Sequence, residues 1–159
     1  LASEKERAEH GFVVSAIREA LDPVCSNLIA ADTPVLMRMS NIQHLHTPVT
    51  ARVKDGVDIL DLVDRVHPTP AVGCWPRALT FETIERLEQM DRGWYAAPIG
   101  WMDFAGEGEF AVGLRTARVS GDEATLFAGA GIVEGSVPAE ELAETELKLR
   151  PLREALAGA

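Results

Sequence analysis

The sequence predicts a mixed fold of helices and antiparallel strands built around one core. Three observations carry this. Apolar residues recur at helical spacing near both ends of the chain, β-rich segments punctuated by Asp55-Gly56, Gly106-Glu107-Gly108 and Gly121-Asp122 fill the middle, and Pro68 and Pro70 divide one helical stretch from the next. The 159 residues suffice for one core, and 47% hydrophobic with 25% charged residues is the composition of an ordinary globular domain.

Taken in order, Ser3 or a neighbour caps a helix to about Leu21, with Val13, Ile17 and Leu21 as its apolar stripe and Asp22-Pro23 as its stop. Pro34 to Met39 and Ile42 to Val53 read as an antiparallel strand pair. Val57 to Val66 is a short helix with Ile59, Leu60 and Val63 inward, ended by His67-Pro68-Thr69-Pro70, whose prolines pin a rigid loop. A helix from about Arg77 to Met90 follows Pro76. Trp94 to Asp103, Glu109 to Ser120 and Ala124 to Ala128 then form a meander. The last helix opens near Ser136-Val137-Pro138 and runs to about Leu156, with Leu142, Thr145, Leu149 and Leu152 as its buried stripe.

A formal charge of -10 disfavours nucleic acid and anionic membrane as partners, because both demand clustered Lys and Arg. An anionic substrate would need local positive charge or a cation. Cys25 and Cys74 have neither zinc-knuckle nor disulfide-framework spacing, which points to a reducing, cytoplasmic setting. The most apolar stretch, Gly93 to Phe104, is interrupted by Asp103 and falls short of the roughly 18 residues that span a bilayer. The opening Leu1-Ala2-Ser3 reads as the stump of a strand, so an upstream portion is expected.

Chemistry concentrates in the last third. Gly129-Ala130-Gly131 reads as a glycine turn whose N-H groups suit an anion, just upstream of a helix carrying Glu141, Glu144 and Lys148 on one face. Carboxylates at that spacing are what a hard cation prefers; the same run also reads as solvated surface with one Glu-Lys pair. Glu9 extends the first helix's apolar stripe inward, or else sits in a solvated first turn. If Glu9 converged on Glu141 and Glu144, two carboxylates about 4 Å apart would repel by roughly 4 kcal/mol at an effective dielectric near 20, and a proton or cation would be required. Alternation sets His44 and His46 on one strand face, a pattern that also fits hydrogen-bonded structural histidines. Arg115, between Gly113 and Ala117 on one strand face, has room for bidentate capture of a carboxylate, or forms an exposed ion pair.

The segments Ser3-Glu4-Lys5-Glu6-Arg7-Ala8-Glu9-His10, Gln43-His44-Leu45-His46-Thr47-Pro48, His67-Pro68-Thr69-Pro70-Ala71-Val72-Gly73 and Asp91-Arg92-Gly93-Trp94-Tyr95 continue into Gly113-Leu114-Arg115-Thr116, Ala128-Gly129-Ala130-Gly131-Ile132-Val133 and Glu141-Leu142-Ala143-Glu144-Thr145-Glu146-Leu147-Lys148-Leu149. Together they resemble the C-terminal half of the chorismate-utilising enzymes, most closely the isochorismate synthases, over residues 1–159. The resemblance implies an α+β fold of antiparallel sheets with helices packed outside, of which this chain is one portion of a single domain. It also implies a Mg²⁺-dependent, reversible reaction in which water adds at ring carbon 2 of chorismate as the 4-hydroxyl leaves, in menaquinone or siderophore biosynthesis.

By the same likeness Glu9 and Glu144 resemble metal ligands, with Glu141 assisting through water. Tyr95, Arg115, Lys148 and the backbone of Gly129, Ala130 and Gly131 resemble carboxylate contacts, and His44 resembles the histidine beside the departing hydroxyl. Ala71 marks the substrate loop: salicylate synthases carry Thr there, whereas anthranilate synthases have a different segment altogether. Cys74 departs from the glycine usual at its position. The family's water-activating lysine and its acid glutamate belong to the N-terminal half and have no match here, so the missing half is the expected partner.

Overall fold

The computed structural model describes residues 4–38 and 43–158. It is a mixture of helices and antiparallel strands, in two compact units: residues 1–89 with 101–109, and residues 90–100 with 110–159.

In the first unit, α1 (Glu4–Leu21) packs on β1 (Cys25–Ala30) and on α2 (Ile59–Val66). The stretch expected as one strand from Ile42 is two: β3 (Gln43–His46) and β4 (Val49–Val53), separated at Thr47-Pro48. Each has its own antiparallel partner. β3 returns along β2 (Val35–Arg38), with Met37 opposite His44 and Val35 opposite His46, while β4 pairs with β1, a strand the pattern did not signal. β1 escapes period-2 reading because it is bulged between Ser26 and Ile29, with Asn27 at φ +52°. Residue 42, the predicted start of that strand, and residue 39, the predicted end of its partner, lie outside the described residues.

Asp58 caps α2, accepting from the Leu60 and Asp61 N-H groups, while Asp61 accepts the Asp58 N-H in return. The helix expected from Arg77 to Met90 is a 3-10 turn, Arg77–Leu79, leading into α3 (Thr80–Glu88), which Gln89 ends in the left-handed conformation.

The expected meander is two hairpins. β5 (Pro98–Met102) pairs with β6 (Gly108–Val112) across a loop in which Asp103 Oδ1 accepts from the Ala105 and Glu107 N-H groups. β7 (Thr116–Ser120) and β8 (Glu123–Phe127) pair antiparallel with Thr116 opposite Phe127. The strand predicted from Glu109 to Ser120 breaks at Gly113 to Arg115. There the Gly113 N-H donates to Ala97 O and the Ala96 N-H donates to Gly113 O, each at 2.8 Å, so the chain is held by residues 96 and 97 rather than by an ongoing ladder.

In the second unit α4 (Pro138–Ala157) packs on β8. Its inward face differs from the expected stripe by one residue: Leu142 is 64% exposed, whereas Glu141 is buried at 6%. Thr145, Lys148, Leu149 and Leu152 are half-buried on the same side. The described residues leave much apolar surface in water, including Trp94, Phe81 and Phe104, and the buried apolar set among them is Val24, Cys25, Pro68, Tyr95 and Ala96.

Candidate active site

The second unit gathers four of the predicted site residues, Tyr95, Gly129, Glu144 and Lys148, into one corner. Tyr95 is buried, its ring stacked on Phe127 at 5.4 Å between centroids and 18° between planes. A Cβ added to Gly129 would lie 2.8 Å from the Tyr95 hydroxyl, so glycine is required by close approach. The Lys148 ammonium donates to Gly129 O at 2.9 Å and pairs with Glu144 Oε1 at 2.6 Å. Both side chains remain substantially exposed, so this i,i+4 pair contributes at most about 0.5 kcal/mol to the fold. Its importance is positional: one ammonium joins the glycine segment to the carboxylate helix.

Arg115 precedes the Thr116–Phe127 register pair, and Phe127 carries the stacked Tyr95. The expectation of a strand position between small residues fails, since Arg115 sits at φ +51° in the break between β6 and β7. A non-glycine residue in that conformation carries local strain, which is found most often where a side chain must be aimed.

The Gly129-Ala130-Gly131 segment is irregular rather than a hydrogen-bonded turn. The tight turn follows it: the Ser136 N-H donates to Val133 O, the Val133 N-H donates to Ser136 Oγ, and Gly135 takes φ +85° just before α4.

Glu141 points inward, with Oε2 closed off from solvent, and Glu144 lies one helical turn on. An all-oxygen donor set of two carboxylates three residues apart fits what Mg²⁺ takes from a protein, which is one or two carboxylates with the remaining positions left to water and substrate. Among the described residues no three His, Cys, Asp or Glu side chains gather as a metal-holding set, so α4 alone offers no closed cage. Glu9 is half-buried and belongs to the first unit.

The first unit holds His44 and Ala71. His44 is exposed on β3 opposite Met37. Its neighbour His46 acts elsewhere: His10 Nε2 is 2.8 Å from Thr47 Oγ1, and burial first, then the His46 charge, hold His10 below the usual histidine range. The sequence pattern assigns His10 no role, and its one signal is its place next to Glu9 on α1.

Ala71 is exposed on a loop built from backbone contacts. The Gly73 N-H donates to Thr69 O at 2.9 Å, and Thr80, the most buried side chain among the described residues at 2%, accepts from the Cys74 N-H at 2.9 Å. A Cβ on Gly73 would sit 2.9 Å from Thr80 Cγ2 and 3.1 Å from Pro68 Cβ. Arg77 ties the other end, its guanidinium donating to Asp64 O at 2.6 Å, Arg65 O at 3.1 Å and His67 O. Burial and this guanidinium lower the His67 pKa.

Residues 1–157 match the family model described as chorismate binding enzyme. The chain belongs to that family. Among chorismate-binding relatives it is 51% identical over 156 residues to the salicylate biosynthesis isochorismate synthase of Pseudomonas aeruginosa, covering 98% of this chain and 33% of that protein. It is 45% identical over 158 residues to isochorismate synthase MenF of Bacillus subtilis, covering 99% and 34%. The chain thus spans about a third of the length of these curated relatives. Among solved structures, DhbC from Bacillus anthracis, assigned as a 2,3-dihydroxybenzoate-specific isochorismate synthase, superposes with TM-score 0.92 at 37% identity over 99% of this chain and 42% of that one. Anthranilate synthase component I from Streptococcus pneumoniae gives 0.83 at 28% identity, over 94% of this chain and 35% of that one. The α+β expectation is therefore correct.

Proposed function

We propose that this chain is the C-terminal, substrate-gripping portion of a cytoplasmic isochorismate synthase that converts chorismate to isochorismate for menaquinone or siderophore synthesis. The observation that carries the reading is the 51% identity to an isochorismate synthase across nearly the whole chain. The corner around Gly129 supports it chemically, because a buried phenol and a lysine ammonium meet at one glycine. Two such donors suit a carboxylate oxygen.

In this reading Lys148, Tyr95, Arg115 and the backbone of Gly129, Ala130 and Gly131 bind the carboxylates of chorismate, and the loop carrying Ala71 borders the ring. Glu144 and Glu9 would hold Mg²⁺, with Glu141 assisting through water, and the ion would supply positive charge for the ring carboxylate. His44 stands beside the departing 4-hydroxyl. Water adds at carbon 2 while the 4-hydroxyl leaves as water, so atoms balance without a redox step. The proton-moving lysine and glutamate lie in the portion of the relatives that this chain does not span. Positioned acids and bases typically contribute 10²- to 10⁴-fold each, so residues 1–159 alone are expected to turn over chorismate negligibly.

The test is the full-length polypeptide with chorismate and Mg²⁺, products being separated chromatographically. Isochorismate is the expected product. Salicylate, anthranilate or no turnover would overturn the assignment.

A further inference from the structure

We infer that Arg92 is a positioning residue that fixes the Tyr95 hydroxyl for substrate binding, acting through the tyrosine ring together with Phe127. This rests on the reading of Tyr95 as a carboxylate contact.

The Tyr95 N-H donates to Arg92 O at 2.8 Å, closing a turn that folds residue 92 back toward residue 95. The Arg92 guanidinium consequently lies 5.6 Å from the centroid of the Tyr95 ring, within the range where a cation is attracted to an aromatic face. On the C-terminal side Ala96 takes φ +62° and its N-H donates to Gly113 O. That approach needs a glycine at 113, because a Cβ there would meet Trp94 O at 2.8 Å. The backbone is thus pinned on both sides of Tyr95.

The ring is pinned as well, by the near-parallel stack on Phe127. Stacking alone resists tilting better than sliding in the ring plane; the guanidinium over the ring adds a second restraint. The result is a hydroxyl delivered to Gly129, where the Lys148 ammonium also arrives. A cation at the ring also draws electron density from the phenol and strengthens its O-H as a donor to an anion. Arg92 needs no contact with substrate to do this.

The experiment compares four forms of the full-length enzyme: unsubstituted, Arg92→Met, Tyr95→Phe and the double variant, each characterised by KM for chorismate and kcat. Arg92→Met is expected to raise KM by about three- to thirty-fold, with kcat little changed. In the Tyr95→Phe background the same substitution should do little further, because the hydroxyl that Arg92 serves is gone. Arg92→Lys should recover part of the loss and serves as the informative variant if Arg92→Met fails to fold. Additive effects on KM, or equal impairment by Arg92→Lys and Arg92→Met, would overturn the positioning role while leaving Tyr95 a substrate contact. An unchanged KM in Tyr95→Phe would remove the substrate-contact reading itself, and this inference with it.

Discussion

The loop from His67 to Thr80 and the corner around Gly129 are both predicted to border substrate, yet they are built on opposite principles. The loop is held through its own backbone: Arg77 satisfies carbonyls at the end of α2, and the nearly inaccessible Thr80 hydroxyl accepts the Cys74 N-H. The corner is held through side-chain tips: a buried phenol, and an ammonium and a carboxylate that remain substantially exposed. Buried backbone partners are expensive to lose and offer little to a ligand, whereas half-exposed charged groups add little stability and are available for binding. Damage to the loop should therefore appear as lost stability, and damage to the corner as lost binding or turnover.

The largest effect that would sharpen this contrast is expected at Glu144. In the full-length enzyme Glu144→Ala should abolish Mg²⁺-dependent turnover, exceeding the roughly 10- to 100-fold losses typical of groups that only support a metal's ligands. Retention of normal metal dependence in a Mg²⁺ titration would remove Glu144 from the ligand set. Next comes Arg115→Ala, which should raise KM about tenfold or more with kcat largely kept, as loss of a charge-assisted contact of 1.5–3 kcal/mol implies. An unchanged KM would make Arg115 structural and weaken the corner as a binding site.

Thr80→Val probes the other side of the contrast. It leaves the Cys74 N-H without its acceptor and should destabilise by about 1–3 kcal/mol in urea titration, with KM little altered. A large KM change at unaltered stability would show that the loop, too, works through binding. Smaller is the pH effect. His10 and His67 have folded-state pKa values below their usual 6.5, so the unfolded chain binds more protons between the two values. Their contribution is complete above pH 6.5 and is lost as pH falls through the folded values; urea midpoints at pH 8 and pH 5 measure it. Least of all, Glu146→Ala should leave the midpoint unchanged, since its 2.6 Å pair with Arg153 is fully solvated.

Much of this was legible in the chain. The helices α1, α2 and α4 fall close to their predicted limits because their stops and caps are local: Asp22-Pro23, Asp58, and Pro138 in a first turn. The partners of the two halves of the Ile42 to Val53 segment were not legible. Pro48 does signal a break, since proline cannot donate to a ladder, but nothing local says which partner each half takes, and β1 conceals its strand character behind a bulge. Arg115 sits in a strand break rather than at the strand position its spacing suggests, because the break depends on a backbone approach by residues 96 and 97.

The sequence by itself determined the family, the oxygen and cationic groups available for binding, and the positions of locally signalled turns and helix ends. The tertiary structure decided which side of α4 faces inward, burying Glu141 and exposing Leu142, and it brought Tyr95, Gly129 and Lys148 together. The physical reason is that apolar residues also occur off the Thr145, Leu149 and Leu152 stripe, so the sequence marks the inward side of α4 without telling Glu141 from Leu142 at its edge. Adjacent helix positions lie about 100° apart, and packing against β8 selects which of the two is covered.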